Sequence, residues 1–402
     1  MAMGETSSEA RRAYSGPAIL AVGFRPFFLG AGLWAAGAVA LWLAQLAGWP
    51  ALPSAFDPIA WHAHEMLFGY VTAVIAGFLL TAIPNWTGRL PVCGRQLGGL
   101  FALWCAGRVA IGVSAWIGPA PAAALDLAFP AALCAVVLRE IAAGGNWRNL
   151  PVAAIVAVLA ASNGLVHLEV LGLAPTQYLG ADLGLRLGIA AVAVLIMLVG
   201  GRVVPSFTRN WLAKRGEAVL PRPFGRLDRL AVAATVAAGL AWTFAPEAPA
   251  SGALALLAAA LGGARLAGWR GHRTRAEPLV WVLHLGYAWL VAGFALLGAA
   301  VLVPALPQSA ALHALTAGAM GTMTLAIMTR ATLGHSGRAL TAGPGTAAIY
   351  ALVGAAALMR VLAPLTALDA ALLFGLSGLA WIGAFALFVI LYGPLLVGRR
   401  RA

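Results

Sequence analysis

Long apolar runs alternate with short polar segments along almost the whole chain. Most runs are about 20 residues long, and a helix of that length spans about 30 Å, which is the thickness of the hydrocarbon core of a bilayer. The pattern therefore predicts an all-α fold, a polytopic membrane bundle of about 12 transmembrane helices. We predict spans at residues 27–49, 60–83, 97–117, 121–143, 150–173, 179–204, 227–246, 250–268, 278–303, 308–332, 344–364 and 369–396.

Turns rich in proline and glycine separate these runs, for example at residues 48–50, 118–121 and 304–307. Such residues are typical of loops between helices. The longest polar stretch, about residues 205–226, divides the predicted helices into two sets of six. The two halves show no convincing sequence repeat. We therefore expect one integral membrane domain over residues 1–402.

Composition excludes a soluble globular protein. Hydrophobic residues make up 62% of the chain and charged residues 10%, whereas soluble domains have about 45–50% and about 25%. The net charge of +13 lies in small groups between apolar runs, which favours an orientation signal over nucleic-acid binding.

With the N-terminus inside, we assign only Arg186 and Arg360 of the 26 Lys and Arg residues to the outer side. Both termini are then cytoplasmic. The acidic residues that we assign to outer ends or turns are Asp57, Asp126, Asp182, Glu247 and Asp369.

The cysteines argue against covalently bound metal cofactors and disulfides, and the N-terminus argues against a cleaved signal peptide. The three cysteines, Cys93, Cys105 and Cys134, form neither a C-x-x-C pair nor a C-x-x-C-H motif. Covalent haem attachment, an iron–sulfur cluster and a disulfide framework are therefore not expected. The first twelve residues are hydrophilic and lack the apolar core of a signal peptide, so we expect them to remain on the protein.

Histidines within the spans are the best candidates for chemistry. An ionisable side chain at the centre of a membrane helix costs about 2.5–3.5 kcal/mol on insertion scales, so those that occur usually face the interior of the bundle. Neutral imidazole is also the commonest protein ligand for transition metals. Four histidines on three predicted helices lie toward the outer side, and we predict a metal site among them: His62, His64, His167 and His313.

The faces of the second predicted helix distinguish its two histidines. His62 and His64 are about 200° apart on an ideal helix, so they share a metal only if the helix begins irregularly. Small residues continue the face of His62, which favours it as the buried ligand. Candidate partners for the second ring nitrogens lie nearby in sequence: Glu65 one turn below His62, Asn163 one turn before His167, and Glu169 near His167. Met320 and Met323 offer thioethers if the metal is Cu(I).

Two other histidines lie toward the inner side. His284 is about 9 Å into its helix at 1.5 Å per residue, and His335 follows at the inner end of the tenth helix. We predict both as cofactor ligands. Alternatively, His284 joins an aromatic cluster with Trp281 and Tyr287, and His335 has a role at the helix end. Any of these membrane histidines can also simply form hydrogen bonds between helices.

Several arginines have two interpretations. Arg186 pairs with Asp182 one turn away or holds a haem propionate. Arg202 and Arg330 are topology signals that reach lipid headgroups, or they contact a propionate or another anion. We predict these three arginines as cofactor-binding residues.

Five segments carry long, distinctive patterns of aromatic, polar and glycine residues. These segments are Gly-Phe-Arg-Pro-Phe-Phe at 23–28, Trp-His-Ala-His-Glu-Met at 61–66, residues 77–88, residues 200–210 and residues 313–340. Together they resemble the NnrS family of membrane proteins over nearly the whole chain. The resemblance implies a twelve-span protein of the bacterial inner (cytoplasmic) membrane that contains non-covalent haem b and copper. It also implies a link to nitric-oxide metabolism, nitrosative stress and denitrification.

Three hypotheses for function remain open. In the first, haem iron and copper sit among the histidines and bind nitric oxide or turn it over, in the latter case as an oxidoreductase. Six histidines suffice for one haem and one three-histidine copper. In the second, the protein transports metal, haem or a metal–nitrosyl species, with a broken helix near Gly200, Gly201 and Pro205. In the third, it senses nitric oxide without turnover. The expected partners are the lipid bilayer and nitric oxide or a related small molecule, and not nucleic acid; the electron donor is unknown.

Overall fold

Twelve long helices form the part of the chain that the computed structural model describes, residues 14–173 and 181–398. These described residues contain no β-strand. The helices are α1 (Phe24–Leu46), α2 (Pro58–Thr87), α3 (Gly94–Gly112), α4 (Pro119–Ala143), α5 (Leu150–Val170), α6 (Leu183–Ala213), α7 (Arg226–Phe244), α8 (Pro249–Ala267), α9 (Pro278–Leu302), α10 (Gln308–His335), α11 (Pro344–Leu362) and α12 (Ala370–Val397). The all-α prediction is confirmed.

Most helices lie within a few residues of the predicted spans, but α6 does not end where expected. The sequence predicts an end at residue 204, before Pro205, and a polar loop from there to about residue 226. The helix instead continues through Pro205 to Ala213. Proline is tolerated inside membrane helices because neighbouring groups satisfy the backbone that it frees. The polar connection between α6 and α7 is accordingly shorter than predicted.

Eleven of the twelve helices are long and apolar enough to cross a membrane. The exception is α3, the predicted span at 97–117, whose Arg95, Gln96 and Arg108 lower its hydropathy. Large apolar side chains point outward from many helices, among them Val109, Phe244 and Ile390 at 65–69% exposure. Exposed apolar residues at this density are typical of a protein that has lipid as its solvent. The protein is therefore a multi-pass membrane protein.

Three helices contain a π-helical segment: Glu65–Val71 in α2, Ile196–Gly200 in α6 and Ala314–Gly321 in α10. The same three are the most enclosed spans. In the most apolar 18-residue stretch of each, between 67% and 83% of the residues are buried, against 33–44% in the other candidate spans. In a π segment the backbone hydrogen bonds join residues five apart instead of four, and such segments are often found at functional sites. The interior helices are therefore the ones with irregular backbone.

The chain divides into two compact units. The described residues of the N-terminal unit are those up to Gly188, with Ala331–Arg338 from the end of α10 and residues 389–398 from the end of α12. The C-terminal unit contains Ile189–Arg330 and Ala339–Phe388. The single-domain organisation that we predict from the sequence stays a prediction.

Arg25 connects the two ends of the chain within the N-terminal unit. This side chain is 5% exposed at the start of α1, and its Nη1 donates to the carbonyl of Ala18 at 3.2 Å. The same nitrogen donates to the carbonyls of Leu396 at 3.1 Å and Gly398 at 2.6 Å. These carbonyls follow the last turns of α12, where the helix cannot satisfy them itself. One guanidinium therefore ties the first helix to the last.

Candidate functional site

The start of α2 places His64 and Glu65 inside the N-terminal unit. The carboxylate of Asp57 caps the helix by accepting from the backbone N–H groups of Ile59 and Ala60 at 2.9 and 3.0 Å, and Pro58 follows at the first helical position. Both features favour a helix start. The α-helical part ends at His64, and the π segment begins at Glu65. Both side chains are completely buried, and His64 Nδ1 lies 3.0 Å from Glu65 Oε1.

Arg108 from α3 joins two carboxylates. Its Nη1 donates to Glu65 Oε1 at 2.6 Å, and its Nη2 donates to Asp126 Oδ1 from α4. Gly107, the preceding residue, allows α4 to approach, because a Cβ added there would lie 2.9 Å from Asp126 Oδ1 and 3.2 Å from Asp126 Cα. The guanidinium is 5% exposed and both carboxylates are 0% exposed at their side chains. The three side chains form a buried ion triad. Such a triad is stable only while every charge has its partner, because an unpaired buried charge is costly.

Two residues of α5 complete the cluster on the other side of Asp126. His167 Nε2 lies 2.9 Å from Asp126 Oδ2, and Asn163 Nδ2 donates to the same oxygen at 2.8 Å. His64 Nε2 lies 3.2 Å from Asp126 Oδ2 and 2.9 Å from Asn163 Oδ1. Four helices thus supply the buried polar cluster, which we define as His64, Glu65, Arg108, Asp126, Asn163 and His167.

Aromatic rings and a small cavity surround the buried polar cluster. The ring centroid of Phe56 lies 5.1 Å from that of His64 and 5.9 Å from that of His167, and Phe68 lies 5.3 Å from His64. A cavity with room for about one water-sized molecule adjoins Asn163. Its other walls are apolar apart from one threonine: Phe68, Thr72, Ile75, Pro130, Leu133, Val156, Leu159 and Ala160. The cluster is therefore shielded from water and lies beside space for a small, weakly polar molecule.

Three atoms of the cluster fit a metal ion. One ligand atom each from His64, Asp126 and His167 lies within 4.8 Å of the others, and this is the one group of three or more such residues in the described part of the chain. Tetrahedral metal sites with bonds of about 2.0–2.1 Å hold their donors about 3.3 Å apart. The 2.9–3.2 Å separations here are close to that value.

The surroundings of His64 also match those of a metal ligand. Its Nδ1 faces the Glu65 carboxylate, the usual partner that orients a ligating imidazole and fixes its tautomer. Its Nε2 faces two oxygens that can only accept, Asp126 Oδ2 and Asn163 Oδ1. Both ring nitrogens of His64 therefore face oxygen lone pairs, but a neutral imidazole has only one N–H to donate. The other nitrogen needs a positive charge between its own lone pair and the oxygens. A proton or a metal ion satisfies that requirement.

The structure corrects the predicted roles of His62 and Glu65. We expected His62 to be the buried histidine of the pair, but it is half-buried and stacks on Trp42, with the ring centroids 4.2 Å apart. His64 is the one in the cluster. Glu65 accordingly pairs with His64 and not with His62, because the irregular helix begins directly after His64.

His313 lies apart from the buried polar cluster in sequence and belongs to the C-terminal unit. Its Nδ1 lies 2.7 Å from the backbone carbonyl of Ser309 one turn earlier. Since a carbonyl only accepts, Nδ1 carries the proton, and the neutral ring presents a lone pair at Nε2. Met320 and Met323 are buried in the same helix.

His284 is held on one side and enclosed on the other, also in the C-terminal unit. The Thr208 hydroxyl donates to the carbonyl of Val204 at 2.8 Å, so it accepts from His284 Nε2 at 2.7 Å. His284 Nδ1 is buried without a hydrogen-bond partner, and a Cβ added at Gly271 would lie 2.5 Å from it. Neither nitrogen has space for haem iron. The nearest aromatic partner is Trp269 at 6.4 Å, whereas Trp281, which we predicted beside His284, is 39% exposed.

The remaining predicted cofactor-binding residues are dispersed. His335 is the last residue of α10 and stacks on Phe24, with centroids 5.3 Å apart. Arg330 lies over the Phe207 ring at 3.9 Å, and Arg202 is exposed. Arg186 is half-buried, and its predicted partner Asp182 has a side chain outside the described residues. Of the two that belong to the N-terminal unit, neither His335 nor Arg186 is among the residues of the buried polar cluster.

Arg108 and Asp126 are functional candidates that the sequence interpretation missed. Arg108 was counted among the inner-side topology signals, and Asp126 among the acids of outer ends and turns. Both lie within helices, 5% and 1% exposed. The available signal was position alone: each is a charged residue inside an apolar run, which by itself indicates an interior role. Arg265 was also counted as an inner-side charge, but it is buried and pairs with Asp228 at 2.6 Å.

No curated protein matches the sequence. A family model does: the model for the NnrS protein matches residues 18–400, which include every residue of the buried polar cluster. Because that match covers nearly the whole length, the chain belongs to the NnrS protein family.

Proposed function

We propose that this protein binds copper and haem b in the bacterial inner membrane and handles nitric oxide, thereby protecting the cell against nitrosative stress. The observation that carries the proposal is the buried polar cluster. It brings two imidazoles and a carboxylate to within metal-binding distance of one another inside a membrane protein. Ionisable groups at such a position are costly and usually have a function.

Copper is the metal that we assign to the buried polar cluster. His64 and His167 supply imidazole nitrogens, which suit copper, and Asp126 supplies an oxygen. Glu65 orients His64 through Nδ1, and Arg108 holds Glu65 and Asp126 in place. Bound copper supplies a site for binding nitric oxide and for electron transfer.

Access for nitric oxide is consistent with the cavity beside Asn163. Nitric oxide is a small, nearly apolar molecule, and the cavity is small and mainly apolar. The Asn163 side chain lines the cavity and also contacts His64 and Asp126. A molecule in the cavity therefore lies one side chain away from the proposed metal ligands.

Metal analysis of the purified full chain tests this proposal. We expect His64→Ala, His167→Ala and Asp126→Asn each to lower copper per protein by about tenfold or more, since each removes a direct ligand. His62→Ala is the matched control, because it removes an imidazole two residues from His64 that stacks on Trp42 outside the cluster. Equal copper content in all four variants and the wild type would reject the site.

Nitric-oxide consumption by the same preparations tests the reaction. Catalytic loss of nitric oxide with an added electron donor, abolished in His64→Ala and kept in His62→Ala, supports turnover. Stoichiometric loss that stops at one equivalent per metal supports sensing instead. No interaction of nitric oxide with the wild-type protein would reject the proposed function.

Transport of a metal, haem or a metal–nitrosyl species is the second candidate, and the π segment of α6 favours it. This segment, Ile196–Gly200, lies where the sequence suggests a broken helix, and irregular helices accompany binding sites in transporters. However, α6 widens there and continues, so it is not interrupted. Movement of copper into vesicles without a change of oxidation state would favour transport over the first candidate.

A further inference from the structure

Helices α2 and α10 carry the same set of residues at the same separations. In each helix a proline precedes a histidine by six residues, and that histidine precedes a glycine by five. In each, a Gly-Arg pair follows 24 residues after the histidine. The matched residues are Pro58, His64, Gly69, Gly88 and Arg89 in α2, and Pro307, His313, Gly318, Gly337 and Arg338 in α10.

The backbone repeats along with the residues. The π segment starts directly after the histidine in both helices, at Glu65 and at Ala314. The chain leaves both through a left-handed glycine, with φ of 70° at Gly88 and 72° at Gly337. These helices are therefore two copies of one structural element, and His313 is the counterpart of His64.

The glycine five residues after each histidine serves the same purpose in both helices. A Cβ added at Gly69 would lie 2.9 Å from the indole Nε1 of Trp34, and one added at Gly318 would lie 2.7 Å from the indole Cδ2 of Trp289. Both glycines thus admit a tryptophan from a neighbouring helix next to the π segment. This match is independent of the spacing along the chain.

The two histidines differ in what faces Nε2. His64 Nε2 meets Asp126 and Asn163, whereas His313 Nε2 has no hydrogen-bond partner among the described residues. Nor does His313 belong to a group of three or more potential metal ligands in that part of the chain. Copper or zinc requires several protein donors, but haem iron brings four of its own and needs only an axial imidazole.

The hydrogen bond at His313 Nδ1 is of the kind that a metal-ligating histidine makes. A ligating histidine usually donates its other N–H to a carbonyl or a carboxylate, which fixes the tautomer and raises the basicity of the ligating nitrogen. His313 Nδ1 does this with Ser309. His284, by contrast, has its remaining nitrogen against Gly271. This contact disfavours His284 and leaves His313 as the candidate ligand for haem iron.

A cation lies on the neighbouring helix. Ala310 and Ala314 of α10 form a buried apolar cluster with Val361 of α11, and this contact brings Arg360 to the same end of α10 as His313. The Arg360 guanidinium stacks on Phe374 at 4.2 Å, and its Nη1 is buried without a hydrogen-bond partner. A carboxylate such as a haem propionate supplies the acceptor that this nitrogen lacks.

We propose that His313 is the axial protein ligand of haem b, through Nε2, and that Arg360 binds a haem propionate. The inference rests on the proposed function, because it assumes that the protein contains haem. It assigns haem to the C-terminal unit and copper to the buried polar cluster of the N-terminal unit. The repeated helix then supplies each unit with one metal-ligating histidine.

Haem content of the purified full chain, measured as the pyridine haemochrome per protein, tests the assignment. We expect His313→Ala to lower haem content by about tenfold or more, and free imidazole in the buffer to restore the Soret band. His313→Met keeps an axial donor, so it should retain haem with an altered spectrum and a higher reduction potential. Arg360→Gln should lower retention of haem less than His313→Ala does.

Two control variants show whether a loss of haem is specific to His313. His272→Ala removes an exposed loop histidine, and it should leave the Soret band unchanged. His64→Ala should lose copper and keep haem. Full haem in His313→Ala would overturn this inference and leave the proposed function standing, whereas wild-type protein without haem would overturn both. Loss of haem in His313→Met and His313→Ala alike, without rescue by imidazole, would also reject the axial role.

Discussion

Arg108 determines whether the buried polar cluster can exist. Its guanidinium contacts both Glu65 and Asp126, and all three side chains are 5% exposed or less. The desolvation of such charges costs several kcal/mol per ion, which their mutual attraction offsets only while all of them are present. The two histidines are therefore positioned by an ion triad that does not itself have to bind metal.

Replacing Arg108 with glutamine should strongly destabilise the protein. The change leaves two buried carboxylates without their cation, and removal of one partner from a buried ion pair costs about 3–5 kcal/mol. Thermal unfolding of the variant in detergent, followed by circular dichroism, measures the loss.

Arg89→Gln is the matched control for this prediction. Arg89 donates to Glu140 at 2.6 Å, but its side chain is 43% exposed, and such surface pairs contribute about 0–1 kcal/mol. If Arg108→Gln lowers the melting temperature no more than Arg89→Gln does, the ion triad is not what holds the cluster together.

The sequence predicted the ligands of the buried polar cluster only in part. His64, His167, Glu65 and Asn163 were singled out as polar residues in apolar helices. The pairing differs from the prediction, because Glu65 was assigned to His62 and Asn163 to His167, whereas both contact His64. Asp126 and Arg108 have the same property, but Arg108 was counted among the inner-side charges and Asp126, near the start of its predicted helix, among the acids of the outer ends. Which charges meet depends on the rotation of four helices about their axes. Hydrophobic periodicity does not report that rotation in membrane helices, since lipid and protein interior are both apolar.

At the scale of the element, the π segment of α2 brings adjacent residues into one site. His64 and Glu65 would diverge by about 100° on a regular helix, yet both face the cluster. The irregular turn also leaves backbone groups for other partners: the indole N–H of Trp104 donates to the Gly69 carbonyl at 2.9 Å. The segment is stabilised by the neighbours that surround it.

Gly69→Ala should damage the buried polar cluster without removing any of its members. The new methyl group would lie 2.7 Å from Arg108 Nη1, 2.8 Å from Glu65 Oε2 and 2.9 Å from Trp34 Nε1. Overpacking of this kind costs about 1–3 kcal/mol. We expect a lower melting temperature together with a lower copper content.

Gly99→Ala in α3 provides the comparison. A Cβ added at Gly99 meets nothing within 4 Å, so this substitution should be neutral or slightly stabilising, as expected for alanine in a helix. A Gly69→Ala variant that matches Gly99→Ala in stability and copper content would contradict the close packing described for the π segment.

Helix positions were predictable because each span must be long and apolar, and this requirement leaves a clear pattern in the sequence. The end of α6 was missed for a local reason, since Pro205 is a strong signal for termination in soluble proteins and a weak one in membranes. The π segments left no recognisable pattern. The repeat of α2 in α10 was missed because five matching residues are dispersed over the length of a helix and become meaningful only with the backbone beside them.

At the scale of the whole molecule, the distribution of charge predicts how the protein lies in the membrane. Positive charges concentrate on the loops that we assign to the cytoplasm, which orients membrane proteins during insertion. α3 is the critical helix for this arrangement, since it carries two arginines and is the one of the twelve described helices that is not a candidate membrane span by length and hydropathy. If α3 does not cross the membrane, every loop after it lies on the side opposite to the one that we predict.

Reporter fusions test this topology. Alkaline phosphatase, active only outside the cytoplasm, should be active when fused after Gly118 and after Glu247, and inactive when fused in the loop at residues 268–277. Activity after Gly118 depends on the crossing of α3. An inactive fusion there would place α3 on one side of the membrane and reject the twelve-span topology with cytoplasmic termini.

The contact of Arg25 with Leu396 and Gly398 has a consequence for the biogenesis of the protein. The ribosome releases α1 first and α12 last, so the partners of Arg25 do not yet exist while the earlier helices enter the membrane. The contact between α1 and α12 can therefore form only after α12 has been synthesised. A chain that stops before residue 396 lacks this closing contact, which gives cellular quality control a structural difference between complete and incomplete copies.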